Sequence, residues 1–243
     1  PSLYVDLVRA VRAAAPSLHL HAFRPQDVAD LVDRGGLTRD GALAALRDAG
    51  VGTMPGTGVK ILDDDIRRRI APDDLEVDRW IDLVRAAHAA GLRTSSVLFY
   101  GHVESAADRI AHLLRLRDLH DETGGFTEFV PIPLPGHSST VADRSALDEH
   151  RAMAAVSRLL LNDGIRHIQI PWTRHGRAVA AELLRSGGDD LGGTLLDGRV
   201  RPDAGVEQGL ELPLADAARL VASLHRRLRE RTTSYGTPAG IAA

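Results

Sequence analysis

The chain has 243 residues, 44% hydrophobic and 26% charged, enough to bury one large core without a metal or disulfide staple. It has no cysteine, which excludes disulfides, zinc–thiolate sites, a cysteine nucleophile and any iron–sulfur cluster ligated by these residues. Thirty basic residues against 33 acidic ones leave a formal charge of −3, which argues against a broad nucleic-acid face, and no apolar run reaches the roughly 20 residues that span a bilayer.

Leu3, Leu7, Val8 and Val11 at helical spacing predict a helix over 3–14, stopped by Pro16. Leu18 to Phe23 alternates as a strand does. A helical stretch from Pro25 breaks at Gly35-Gly36, resumes after Thr38 as N-cap and ends at Gly50. Val51–Met54 is a short strand closed by Pro55-Gly56. A long helical region then runs to Gly91, with Trp80, Ile81, Val84 and Ala87 as its apolar stripe. Arg93–Tyr100 is a strand, and Ser105 caps a helix whose face carries Ile110, Leu113 and Leu114. Phe126–Ile132 is a strand, and 148–161 a helix with Met153, Val156 and Leu160 on one face. Ile165–Pro171 is a strand, and Thr173 caps a helix ending near Gly187-Gly188. Gly192–Leu196 reads as a last short strand, and Leu214–Leu228 as a terminal helix. Residues 134–147 and 197–213 read as the long irregular loops.

This order predicts an α/β fold, a parallel sheet with right-handed crossovers that curls into a TIM-type (β/α) barrel. A complete eight-stranded barrel takes about 250 residues. With about six parallel strands and a helix first, the chain reads as an incomplete barrel whose first two βα units are missing. Residues 1–236 form this barrel portion and 237–243 a disordered tail. The opening Pro1-Ser2-Leu3-Tyr4 lacks an initiator Met and a leader pattern, so the chain reads as a cytoplasmic piece of something longer.

In such barrels chemistry gathers at the C-terminal strand ends. His19 and His21 share one strand face, which fits either a metal site or hydrogen-bonded imidazoles. Glu128 inside a strand either pairs with an arginine or meets a ligand. Gly56-Thr57-Gly58 could approach a ligand closely, and Asp190-Leu191-Gly192-Gly193 is a tight turn. Lys60, the sole lysine, could act as a Schiff-base amine at the barrel mouth.

Several strings together resemble the radical S-adenosylmethionine enzymes of FO synthase type, in particular the tyrosine-using CofH type. They are His19–Pro25, Leu46–Thr57, Gly91–Thr94, Tyr100–Glu104, Gly125–Pro131, His167–Gln169 with Trp172, Asp189–Leu195 and Arg231–Gly236, in order across most of the chain. The resemblance implies a transferase of deazaflavin coenzyme biosynthesis. It would join a tyrosine-derived hydroxybenzyl group to 5-amino-6-ribitylaminouracil, using S-adenosylmethionine and a 4Fe–4S cluster. The cluster's CxxxCxxC loop belongs to the first βα unit, so this chain is expected to be inactive alone. Its implied partners are the missing N-terminal part, a ring-closing subunit or domain, and small-molecule substrates. Neither nucleic acid nor a membrane is expected. Substrate-binding residues implied by the match are His21, Tyr100, His102, Glu128, Gln169 and Asp190. Gly52, Pro55, Gly56 and Val130 are implied for the S-adenosylmethionine pocket. No residue is expected to act as catalytic acid or base, and none to hold a metal.

The sequence departs from the family pattern in three places. Lys60 stands where the family carries a Glu, which would reverse the charge near the cofactor. Leu134–Thr140 and Val200–Val206 replace ligand-facing family strings. Two alternatives therefore stand beside the first reading: a non-catalytic derivative of the barrel, and a metal-dependent hydrolase using His19, His21, His102 or His167, and Asp190.

Overall fold

A computed structural model describes residues 2–56, 60–134, 137, 139–193 and 211–238. Helix α1 (Ser2–Ala14) ends just ahead of Pro16. Helix α2 (Pro25–Asp33) carries its proline in the first turn, where the missing N–H has no partner to lose. Helix α3 (Arg39–Ala49) starts with the Thr38 hydroxyl accepting from Gly41 N. It ends at Gly50, whose φ of 118° needs a residue without Cβ. Strand β1 (Thr53–Met54) follows.

The long helix predicted up to Gly91 is two helices, α4 (Asp64–Ile70) and α5 (Val77–Ala89). Pro72 explains the break, because its ring drives Ala71 out of the helical region to φ −157°, ψ 68°. Strand β2 (Arg93–Tyr100) leads into α6 (Ala106–Thr123), opened by a reciprocal capping box between Ser105 and Asp108. Strand β3 (Phe126–Pro133) is followed by α7 (Arg144–Leu161), which Asp143 caps earlier than expected. Helix α8 (Trp172–Arg185) begins at Trp172, so Thr173 lies inside it rather than capping it. Helix α9 (Leu214–Ala222) stops well short of Leu228. The chain tightens there into Leu224 N to Val221 O and His225 N to Ala222 O bonds, and His225 turns left-handed.

β1, β2 and β3 form a parallel sheet in that order. Isolated parallel bridges extend it on both sides: His21 to Thr53, Phe129 to Ile168, and Gln169 to Asp190. Six segments thus lie side by side in chain order and in one direction, the sequential winding that βα units produce. Only three of the six are strands. Leu18–Phe23 makes a single bridge because Phe23 already turns at φ 64°, and Pro25 starts the next helix. The expected last strand at Gly192–Leu196 instead pairs at Asp190, and its residues 194–196 lie outside the described residues. So does most of the 197–213 loop, and so do residues 239–243 of the expected tail.

Consecutive helices α5, α6, α7 and α8 pack side by side, with Trp80, Phe126, Phe129, Leu113 and Leu116 fully buried among the core residues. The buried face of α6 is His112, Leu113, Leu116 and Leu119: of the predicted residues Leu113 is buried, Leu114 half-buried and Ile110 exposed. His112 is drawn in because its ring satisfies two backbone groups, accepting from Leu62 N at 3.0 Å and donating to Val97 O at 3.1 Å. Burial pushes that imidazole down to about 3. In α5, Trp80, Val84 and Ala87 are buried as predicted while Ile81 is only half-buried. In α7, Val156 and Leu160 are likewise half-buried.

Candidate functional site

Strand alternation sorts the candidate residues by face. Phe129 and Ile168 are paired and fully buried under the helices, so Glu128, Val130 and Gln169 lie on the opposite, inner face. Asp190 pairs with Gln169 and shares that face. Three of the expected substrate residues, Glu128, Gln169 and Asp190, therefore come together on adjacent strand segments. Pro133 and its partner Tyr100 mark the C-terminal end of the sheet, five residues beyond Glu128. At about 3.3 Å per residue Glu128 sits roughly 16 Å below that rim.

The segment after α9 closes over this group. Asp190 Oδ2 accepts from Arg231 Nε at 2.9 Å, from the second Arg231 nitrogen at 2.5 Å and from the Tyr235 hydroxyl at 2.5 Å. Its other oxygen accepts from Gly192 N at 2.7 Å. Tyr235 is covered on both sides, by the His167 ring stacked at 3.8 Å and by the Arg231 guanidinium at 4.1 Å. Desolvation, with Asp190 next, pushes the Tyr235 phenol far up, so it stays a donor. Arg231 and Tyr235 were not among the expected site residues. The signal was the Arg231–Gly236 string, which matched the family without any residue in it being assigned a role.

Glu128 differs from its neighbour. It is 9% exposed, and its Oε2 is buried with no hydrogen-bond partner among the described residues. Desolvation pushes its carboxyl up, while the Thr127 hydroxyl and the charge of Arg231 pull part of the way back. An orphaned buried oxygen costs free energy unless a ligand donor meets it. The group can hold an N–H or O–H donor at Glu128, while both Asp190 oxygens are already engaged by Gly192, Arg231 and Tyr235.

The other expected residues sit elsewhere. Tyr100 is aimed into the helix layer, with its hydroxyl 2.7 Å from His150 Nδ1 and the Arg109 guanidinium 5.1 Å above its ring. It is fully buried and has no edge left for a ligand. His102 is consumed by its own turn: Nε2 donates to Phe99 O at 3.0 Å, and Nδ1 accepts from Val103 N at 2.8 Å. Nδ1 also lies 2.8 Å from Glu104 Oε2. Glu104 holds that turn. Burial alone would raise its carboxyl, but Gly101 N, His102 N and Arg109 hold it below its usual range. Arg109 continues to Glu149, whose other oxygen is 3.0 Å from His137 Nε2.

His19 and His21 both meet the Thr53 hydroxyl at 2.8 Å. One hydroxyl shared by two imidazoles accounts for the pair without an ion, and burial, then His19, lowers the His21 pKa. Among the described residues no three His, Asp or Glu side chains gather to hold a metal, which leaves the hydrolase reading without support. Gly52 and Gly56 are close-packing points. A Cβ at Gly52 would lie 2.5 Å from the His19 ring, and one at Gly56 only 1.9 Å from Ser95 O. Gly56 N also donates to Ser95 Oγ at 2.9 Å. Pro55 is half-buried; Val130 is a buried inner-face wall. Lys60 Nζ donates to Asp74 at 2.6 Å, which neutralises the cation that was expected to disturb the cofactor and leaves no free amine for a Schiff base.

Residues 123–239 match the family model described as CofH/MqnC C-terminal region. An FO synthase of Mycobacterium tuberculosis (strain CDC 1551 / Oshkosh) is 41% identical over 238 residues, 96% of this chain and 28% of that protein. The chain is similar to the CofH-type FO synthase family over nearly its whole length. A second relative is 39% identical over 244 residues, 98% of this chain and 66% of its own length. It is the 5-amino-6-(D-ribitylamino)uracil--L-tyrosine 4-hydroxyphenyl transferase of Methanoculleus marisnigri. The chain thus spans about a quarter to two thirds of these FO synthase relatives. The crystal structure of methylornithine synthase (PylB) matches the fold with a TM-score of 0.60 at 16% identity, over 94% of this chain and 64% of that one. No helix among the described residues is long and apolar enough to cross a membrane.

Proposed function

We propose that this chain is the substrate-holding part of a radical S-adenosylmethionine transferase. The reaction joins a tyrosine-derived hydroxybenzyl group to 5-amino-6-(D-ribitylamino)uracil. The single observation that carries this reading is the buried, unpartnered Oε2 of Glu128 on the inner sheet face. It lies in a chain about 40% identical to relatives named for that pair of substrates or for FO. Both substrates offer N–H and O–H donors that Glu128 can accept. Gln169 adds an amide with both donor and acceptor, and Val130 an apolar wall. Arg231 and Tyr235 hold the floor rigid, so the site orients its ligands and shields them from water.

The family implies S-adenosylmethionine and a 4Fe–4S cluster, whose chemistry is reductive formation of the radical. The cluster does not fit these residues, because the 243 contain no thiolate to ligate iron. In this reading its ligands come from residues other than these, in keeping with the chain spanning 28% and 66% of these two relatives. Nor do Gly52 and Gly56 make a cradle for the nucleoside, since His19 and Ser95 already fill the space a Cβ would take. A ring-closing subunit or domain would act on the product.

Isothermal titration of the chain with 5-amino-6-(D-ribitylamino)uracil and with L-tyrosine tests this reading. Saturable binding of at least one is expected, weakened about tenfold by Glu128→Gln, the scale of one hydrogen bond to a charged acceptor. Binding of neither, or equal affinity in the variant, overturns it.

A further inference from the structure

A second cavity lies at the opposite end of the sheet from the barrel mouth. Arg93 and Phe126 are the first residues of β2 and β3, and Arg166 and His167 precede the Ile168 bridge. All three segments are parallel, so these residues share one level, seven residues or about 23 Å from the rim at Tyr100. The cavity holds about 250 Å³ and is lined by Arg93, Arg166, His120, His167, Thr127 and Ser234, with Tyr235 as part of its wall.

Most arginines of this chain are tied to a carboxylate or a carbonyl. Neither the Arg93 nor the Arg166 guanidinium has a hydrogen-bond or acidic partner among the described residues, although both line the same small space. Helix α6 ends beside them, and its C-terminal carbonyls would attract cations, yet neither guanidinium bonds to one. His120 Nδ1 is also buried there without a partner. The acids nearby do not cancel this charge. Asp189 is already held by Arg158 and His167, each at 2.8 Å, and Asp190 by Arg231 and Tyr235. Asp121, near Gly164, and Asp163, which precedes it, are exposed carboxylates close by, and neither is among the residues that line the cavity.

Two arginines without a hydrogen-bond or acidic partner among the described residues line one concavity, together with imidazole and hydroxyl side chains. That arrangement matches an oxyanion with several acceptor oxygens rather than a neutral ligand. Both faces of the Tyr235 ring are occupied, so no base or aromatic ring can stack on it, which favours a compact ligand. We propose that this cavity binds a phosphoryl group, as inorganic phosphate or as a small phosphate monoester, independently of the inner-face site.

The test is isothermal titration of the full chain in phosphate-free, low-salt buffer with inorganic phosphate and with ribose 5-phosphate. Saturable binding is expected, weakening with added sodium chloride because the cavity is half open. Arg93→Gln and Arg166→Gln should each lower affinity about tenfold, and the pair should abolish binding. Both side chains are exposed, so the melting temperature and circular dichroism of the variants should match the parent. Glu128→Gln should leave phosphate affinity unchanged. Equal affinity for both probes assigns the site to the free anion, and tighter binding of the ester assigns it to a metabolite. Absence of saturable binding, or unchanged affinity in the double variant, overturns the proposal.

Discussion

Two buried polar clusters lie at different heights on the same sheet, and they answer the same physical problem differently. Near the C-terminal rim, Glu104, Arg109, Glu149 and the Tyr100–His150 pair satisfy one another. Below it on the inner face, Asp190, Arg231 and Tyr235 are equally tied, but Glu128 keeps one oxygen unpaired. The first cluster holds a turn together. The second leaves one carboxylate oxygen open. The density of charged and histidine residues is higher in the first, so residue type alone does not separate the two; what sets the second apart is a buried carboxylate oxygen, Glu128 Oε2, with no hydrogen-bond partner among the described residues.

The largest expected effect falls on the scaffold that carries both clusters, in acid. Burial holds His88 at about 4, and His112 and His175 at about 3, each below the 6.5 of an unfolded chain. The stability they contribute is present above pH 6.5 and is lost as pH falls toward 3–4, because only the unfolded state binds the protons. Three such groups set a slope of up to about 4 kcal/mol per pH unit near pH 5. Urea unfolding between pH 7 and 5 should show a steep fall, and His112→Gln should flatten it. A level profile would remove the buried neutral imidazoles from the account.

Glu104→Ala comes next. It strands Arg109 and leaves the Gly101 and His102 amides without an acceptor, so stability should fall by about 3 kcal/mol or more. Ligand binding at the inner face should change little. Glu128→Gln should do the opposite. Its folded carboxyl is raised, so ionisation destabilises the fold as pH climbs past the ordinary glutamate range, and the penalty disappears in acid. The variant should match or exceed the parent in stability at pH 7.5, equal it at pH 4, and lose substrate affinity. Smallest of all is Lys60→Met, expected to cost about 1 kcal/mol or less by thermal denaturation, since its ion pair with Asp74 is partly solvated.

Much of the scaffold could be read in the sequence, because local rules produce it. Thr38, Ser105, Gly50 and the β-rich run Arg93–Tyr100 each act within a few residues. The misjudged boundaries also have local causes, such as Pro72 splitting one helix and Phe23 ending one strand. Glu128 was legible as a carboxylate inside a strand, and Gln169 and Asp190 through the family strings. Tyr100 and His102 were not legible as structural residues, because their partners His150 and Phe99 O come from packing and turn geometry.

By itself the sequence determined the winding order, the absence of any thiolate and the family the chain resembles; these follow from composition, period and motif. Tertiary structure alone decided which polar atoms are satisfied. It brought Arg231 and Tyr235 across 41 and 45 positions to Asp190, and left Glu128 with an open oxygen. Hydrogen-bond saturation is a property of three-dimensional neighbours, and residues so far apart become neighbours only when the chain folds.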